Sequence, residues 1–254
     1  MADIECTVEN SIATVTLNRP AMRNAVTLAM WKDVARLFRE LGAKRDIRAI
    51  IFTGAGGHFS VGADVSEFSV VRSNAQDSAD YEVAVDASSE AIAGVPHPVI
   101  AVIDGYCLGG GCHLSMTCDF RFVGRTAQIG IPSANLSIVY GVQSTKRLLA
   151  LVGLTAAKRI LYTAERLDAA EAVRIGLADR LSDAPRDEAR AFAEQISGKA
   201  PLSIAGAKYI LNQASMGEDG PLAQMMIDGA SDSHDYREAR QAFAEKRPAA
   251  FKGL

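Results

Sequence analysis

Residues 105–119 read GYCLGGGCHLSMTCD, a strand that ends in glycines and turns into a helix, with His113 one turn inside that helix. A second glycine corner, GAGGHFSVGAD at residues 54–64, also follows a strand and leads towards a helix. The start of a helix leaves backbone N–H groups free and adds a dipole field, so each corner can direct donors at an anion. The alternative is that the glycines only permit tight turns between strand and helix.

Neither corner matches a nucleotide-binding motif. No Lys followed by Ser or Thr comes after the glycines, which excludes a P-loop, and GxGxxG is absent, which leaves a dinucleotide site unsupported. Cys107, Cys112 and His113 are close in sequence, but their spacing fits no zinc pattern, and small buried thiols are the better interpretation. The sequence therefore predicts no metal site and no permanently bound cofactor.

The composition is that of an ordinary globular protein. Of 254 residues, 48% are hydrophobic and 22% are charged, and the formal net charge is -3. This slightly acidic balance argues against nucleic acid or an anionic membrane as a partner. The start, MADIECTVEN, lacks a secretory pattern, the apolar runs are of strand length, and the four cysteines form no CxxC pair. We therefore expect a cytoplasmic protein with free thiols.

Strand and helix patterns alternate along most of the chain. IATVTL, RAIIFTG and PVIAVIDG are rich in β-branched residues, whereas LAMWKDVARLFREL has helical spacing of its apolar residues. This alternation predicts an α/β architecture with crossover connections and buried strands. From Ala184 onward only helical patterns remain. We predict an α/β core over residues 1–185 and a helical region over residues 186–254.

Two segments, FSVGADVSEF at 59–68 and GYCLGGGCHLSMTCD at 105–119, closely resemble the signature segments of the crotonase superfamily, the enoyl-CoA hydratase/isomerase family. Further matches follow in the order that the family shows, so the resemblance covers nearly the whole chain. They are LNRPAMRNA at 17–25, AQIGIPSANLSIVYGVQSTKRL at 127–148, AAEAVRIGLADRL at 169–181 and AFAEKRPAAFKG at 242–253.

The resemblance implies a spiral of ββα units, a helical C-terminal region that forms homotrimers or hexamers, and an acyl-CoA substrate of fatty acid metabolism. It also implies that the backbone N–H groups of Ala63 and Gly110 form an oxyanion hole for the thioester carbonyl. Such preorganised donors stabilise the charge that develops on this oxygen in an enolate. Arg23 and Lys252 would hold CoA phosphates, unless they are solvated surface charges, and Ala25, Ala63 and Val65 would line the adenine and pantetheine path.

The resemblance does not extend to the residues that serve as acid and base in the hydratases of the family. The hydratases of the family use two glutamates, and the corresponding positions of this chain hold His113 and Ser133. His113 is expected to be neutral near the helix start, able to accept a proton or orient a water, unless it is a packed residue bonded to a backbone carbonyl. Tyr140 lies where other superfamily members place active-site groups, although it could be a core aromatic. Ser133 can hold a water but cannot act as a base.

Three functions remain open. The first is an enzyme that forms a thioester enolate without the two glutamates, and decarboxylation fits because it needs no base to remove a carbon-bound proton. The second is a divergent hydratase or isomerase with His113 as its single base. The third is a catalytically silent acyl-CoA-binding protein. The acyl end of the pocket is expected to be lined by residues 70–92.

Overall fold

The structure, a computed structural model, describes residues 2–254. Within these residues, nine strands alternate with the first helices: β1 (Ile4–Glu9), β2 (Ile12–Leu17), β3 (Ala49–Gly54), β4 (Val99–Ile103), β5 (Tyr106–Leu108), β6 (Phe120–Gly124), β7 (Gln128–Gly130), β8 (Arg166–Asp168) and β9 (Arg180–Ser182). The ten α-helices of the described range are α1 (Leu28–Gly42), α2 (Phe68–Val71), α3 (Ala75–Gly94), α4 (Gly110–Thr117), α5 (Val142–Thr163), α6 (Ala169–Arg174), α7 (Pro185–Ser197), α8 (Pro201–Met216), α9 (Ala223–Ser231) and α10 (His234–Glu245).

The strands form two sheets. The larger has six strands in the order β1-β2-β3-β4-β6-β9, and the smaller has three in the order β5-β7-β8. The β1–β2 hairpin is antiparallel, and every later pairing in the large sheet is parallel. Parallel neighbours need crossover connections, which is what the alternating strand and helix patterns indicated.

The predicted spiral of ββα units is confirmed. The chain passes from β4 in the large sheet to β5 in the small sheet and then into α4. It repeats the same path through β6 and β7 before α5. In the first of these turns Gly105, with φ of 51°, lies between the two strands, where a left-handed residue favours glycine.

Both faces of the large sheet are buried. On one face, Trp31 and Phe38 of α1 join the main core with Phe52 of β3. On the other, Ala189 and Ala193 of α7 pack against a second cluster that includes strand residues of β4 and β6. The last strand of the described residues ends at Ser182, and the four helices α7 to α10 follow it.

Within residues 2–254, no helix has both the length and the apolar character needed to cross a bilayer.

Candidate active site

Two loops from different corners of the fold are joined by backbone bridges. Ser60 pairs with Cys107 of β5, and Ala63 pairs with Val26. The Ser60 hydroxyl donates to the carbonyl of Asn24 at 2.7 Å and accepts from the N–H of Gly62 at 3.0 Å. These contacts place residues 60–64 beside the start of α4.

The N–H groups of Ala63 and Gly110 lie at this junction. In the Val26–Ala63 bridge, the N–H of Val26 donates to the carbonyl of Gly62, and the N–H of Asp64 donates to the carbonyl of Val26. The N–H of Ala63 therefore takes no part in the bridge. Gly110 is the first residue of α4, where an N–H has no partner inside the helix. No oxygen within residues 2–254 accepts a hydrogen bond from either group.

Glycine is required on both sides of the junction. A Cβ on Gly62, whose φ is 98°, would lie 2.7 Å from the carbonyl oxygen of Leu108 and 2.9 Å from the nitrogen of Gly110. A Cβ on Gly110 would lie 2.9 Å from the indole ring of Trp31 and 3.2 Å from the nitrogen of Ala63. The two free donors are therefore neighbours because neither glycine carries a side chain.

Asn24 holds the glycine corner at residues 54–64 in place. It is fully buried and left-handed, with φ of 57°. Its side-chain amide donates to the carbonyls of Ala55 at 2.9 Å and His58 at 2.7 Å, and its side-chain oxygen accepts from the N–H of Arg19 at 2.9 Å. One side chain thus satisfies three backbone groups around the glycine corner at residues 54–64.

We expect Asn24→Ala to lower the free energy of unfolding by about 2–4 kcal/mol, because buried backbone groups lose their partners and alanine is disfavoured at this φ. Chemical denaturation measures the loss. Asn18→Ala is the matched control, since the Asn18 amide also makes two bonds, but in exposed surroundings. A loss for Asn24→Ala no larger than that of the control would contradict this role.

Behind the two donors lies a cavity of about 130 Å³. Its wall is largely apolar and aromatic, with Trp31, Phe68, Tyr81 and Tyr140 contributing rings. The indole N–H of Trp31 donates to the hydroxyl of Tyr81 at 2.7 Å, and burial raises the pKa of Tyr81 to about 12. Tyr81 and Trp31 therefore form an uncharged part of the cavity wall, and their mutual hydrogen bond fixes the two side chains.

His113 is buried beside the cavity, with both ring nitrogens bonded to side chains. Nδ1 lies 2.6 Å from the hydroxyl of Ser144, and Nε2 contacts the hydroxyl of Ser89. Burial, reinforced by the charge of Arg147, lowers the pKa of His113 to about 3. We expected the helix start to favour a neutral imidazole, whereas in the structure burial is the main cause that favours this form. The partners are serine hydroxyls, not the backbone carbonyl of the alternative interpretation.

Tyr140 and Ser133 line the same cavity. The Tyr140 hydroxyl makes a long bond, 3.4 Å, to the carbonyl of Gly109, next to the Gly110 donor. Burial raises the pKa of Tyr140, so the phenol keeps its proton at neutral pH. Ser133 follows Pro132 in a short 3-10 helix, and its side chain forms no hydrogen bond within residues 2–254.

Two charged residues that our sequence analysis did not single out also line the cavity. Arg72 follows α2, and Glu82 lies on α3, where its carboxylate is 3.4 Å from the Arg72 guanidinium. Burial raises the pKa of Glu82. Both lie within the segment 70–92 that was expected to line the acyl end, but no motif distinguishes them from the other polar residues there.

The residues expected to contact CoA are only partly brought together. Val65 lines the mouth of the cavity and is 59% exposed, next to Ala63. Ala25 is buried and does not line the cavity. Arg23 is exposed, and its guanidinium carbon lies 5.5 Å from the centre of the Tyr106 ring. The guanidinium carbon of Arg166 lies at the same distance from that ring centre. Lys252 is exposed in the C-terminal tail, where its N–H donates to Asp235.

Comparison with known proteins identifies the family. The family model described as enoyl-CoA hydratase/isomerase matches residues 7–254. The chain belongs to the enoyl-CoA hydratase/isomerase family. It is 32% identical to a short-chain-enoyl-CoA hydratase of Clostridium acetobutylicum, over 94% of this chain and 93% of that protein.

Solved structures of the enoyl-CoA hydratase/isomerase family share the fold. An enoyl-CoA hydratase/carnithine racemase from Magnetospirillum magneticum superimposes with a TM-score of 0.92 at 34% identity, covering 100% of this chain and 97% of that one. An enoyl-CoA hydratase from Bacillus anthracis superimposes with a TM-score of 0.89 at 30% identity, and the match covers 100% of each chain. The resemblance to the crotonase superfamily and the predicted crotonase-like fold are thus confirmed.

Proposed function

We propose that this chain binds an acyl-CoA thioester, stabilises its enolate with the N–H groups of Ala63 and Gly110, and catalyses decarboxylation of a malonyl-type thioester. The observation that carries the proposal is the pair of free backbone donors, from two different loops, at the mouth of one apolar cavity. Donors of this kind stabilise an oxyanion most strongly where water is excluded.

Decarboxylation fits the side chains around these donors. The bond between the α-carbon and the carboxylate carbon breaks, carbon dioxide leaves, and the electron pair becomes the enolate. No base is needed, which suits a site with His113 and Ser133 at the positions of the two glutamates. The enolate then takes a proton at its α-carbon. Tyr140 is our candidate donor, because its phenol is protonated and lies next to Gly109, and solvent returns the proton to it.

Hydration or isomerisation is the second candidate, because the Clostridium acetobutylicum relative is named as a hydratase. The hypothesis drawn from the sequence assigns His113 as the single base of this reaction. The two serine contacts leave no ring nitrogen of His113 free to reach a substrate, so the geometry does not favour it. Glu82 is the remaining carboxylate in the cavity wall, and its raised pKa suits proton transfer.

One set of assays separates these reactions. We expect release of carbon dioxide from methylmalonyl-CoA or ethylmalonyl-CoA and no loss of enoyl absorbance with crotonyl-CoA. Turnover of crotonyl-CoA alone would support the second candidate. Tight binding of thioesters by calorimetry, without turnover of any, would indicate a silent acyl-CoA-binding protein.

For coenzyme A itself, we propose that Arg23, supported by Arg166, contacts a phosphate beside Tyr106, and that Val65 and Ala63 line the pantetheine path. Guanidinium groups suit phosphate because they donate two parallel hydrogen bonds. Lys252 and Ala25 stay predictions without a contact to the cavity in the single chain.

The homotrimer or hexamer also stays a prediction. Exposed apolar side chains on the C-terminal helices support it, among them Leu211, Met225 and Phe243, because contacts between copies of the chain could cover them.

A further inference from the structure

The cavity behind the two donors contains one ion pair in an otherwise uncharged wall. Among the described residues that line it, Arg72 and Glu82 are the only ones with charged side chains, since burial favours the neutral form of His113. Burying an ion pair is costly, and here the cost falls mainly on Arg72, because the Glu82 side chain is 39% exposed and keeps part of its hydration. A largely buried guanidinium in this wall therefore calls for an explanation other than stability.

Arg72 is held in place mainly by aromatic rings. Its guanidinium lies 5.1 Å from the centre of the Phe68 ring and 5.1 Å from that of Tyr81. Its side chain is 17% exposed. Apart from the single contact of 3.4 Å to Glu82, it makes no polar contact to a side chain within residues 2–254. A guanidinium has five N–H donors, so most of its capacity is unused.

Glu82 is a weak partner for this cation. Its distance to Arg72 is longer than that of a good charge-assisted hydrogen bond, about 2.7–2.9 Å. Burial and the neighbouring Asp86 favour its uncharged form, against the effect of Arg72. Its other oxygen lies over the backbone of Gly141, 3.5 Å from the position that a Cβ would take there. The pair can therefore open without breaking any other hydrogen bond of Glu82.

We propose that Arg72 binds a carboxylate on the acyl group of the substrate, and that this carboxylate replaces Glu82 as its partner. Arginine suits the task because its planar fork matches a carboxylate with two parallel hydrogen bonds. Arg72 would then be a specificity-determining residue that selects thioesters of dicarboxylic acids over simple acyl-CoA. The inference rests on the proposed function, because it requires that a thioester occupies the cavity.

Calorimetry with succinyl-CoA and butyryl-CoA tests this selectivity. Both acyl groups have a four-carbon chain, one ends in a carboxylate and the other in a methyl group, and neither is a malonyl-type thioester. We expect the wild-type chain to bind succinyl-CoA more tightly by about 10-fold or more, the size of effect that one good charge-assisted contact produces. Arg72→Gln should abolish this preference and change the affinity for butyryl-CoA by less than about threefold.

Two further variants complete the test. Glu82→Gln should strengthen the preference for succinyl-CoA, because the competing carboxylate is gone, and it decides the matter if Arg72→Gln does not fold. Arg125→Gln, which removes an exposed arginine paired with Asp183 outside the cavity, is the matched control and should leave both affinities unchanged. An unchanged preference in Arg72→Gln, or in Glu82→Gln where that variant decides, overturns the inference about Arg72 alone. Failure of both thioesters to bind to the wild-type chain overturns the proposed function as well.

Discussion

Replacing Ala63 by proline is expected to lower the rate of carbon dioxide release by about 10²–10³-fold, the effect of removing one donor from an oxyanion hole. Proline has no backbone N–H, and the N–H of Ala63 has no acceptor within residues 2–254, so the variant loses no internal hydrogen bond. The bonds on either side, from Val26 to Gly62 and from Asp64 to Val26, remain available. The measurement is kcat with the best malonyl-type thioester.

Ala63→Ser is the matched control for this variant. It keeps the backbone N–H and changes only the side chain, so its kcat should stay within about tenfold of wild type. Circular dichroism would confirm that the proline variant is folded. If the folded Ala63→Pro protein turns over as fast as Ala63→Ser, the N–H of Ala63 has no part in catalysis.

Replacement of His113 should affect stability far more than catalysis. Its ring is buried between Ser89 and Ser144, and a smaller or differently shaped side chain leaves a void and at least one hydroxyl without its partner. We expect His113→Gln to lower the free energy of unfolding by about 2–4 kcal/mol at pH 8. Carbon dioxide release should fall by less than about tenfold, because each acid or base that acts directly contributes more than this. A loss of 10³-fold in rate in a folded variant would show that His113 acts on the substrate.

His113 also makes the free energy of unfolding depend on pH, with a sign that follows from its lowered pKa. The pKa of His113 is about 3 in the folded chain, against an ordinary 6.5 in the unfolded chain. Between these values the unfolded chain takes up a proton and the folded chain does not, so the folded state is destabilised as the pH falls below about 6.5. The slope from one such group is about 1.4 kcal/mol per pH unit. Urea denaturation at pH 8 and pH 5 should show wild type losing about 2 kcal/mol more than His113→Gln. Equal losses would contradict this assignment.

The sequence was informative where local pattern determines local structure. β-branched runs such as IATVTL and PVIAVIDG lie in buried strands, and glycines mark the corners because Gly62 and Gly110 have no room for a side chain. The position of His113 one turn inside α4 was also predictable, since α4 begins at Gly110.

The far wall of the cavity was not predictable in the same way. The polar segment VRSNAQDSADYEVAVDASSEAI at residues 71–92 predicts only a partly helical, mobile stretch, yet α3 runs from Ala75 to Gly94. Its buried face consists partly of alanine and serine, including Ala84, Ser88 and Ser89, so the apolar spacing that identifies a helix is weak. The partners of His113 are 24 and 31 residues away in sequence, and only the folded chain brings them to one ring. The same holds for the approach of Glu82 to Arg72.

A crystal structure of the chain with a bound, unreactive thioester such as butyryl-CoA would show whether the N–H groups of Ala63 and Gly110 bind the thioester oxygen. We expect the thioester oxygen to lie about 2.7–3.1 Å from the nitrogens of both Ala63 and Gly110, with the acyl chain directed towards Trp31 and Tyr81. A bound thioester whose oxygen contacts neither nitrogen, or an acyl chain that leaves this cavity empty, would contradict it.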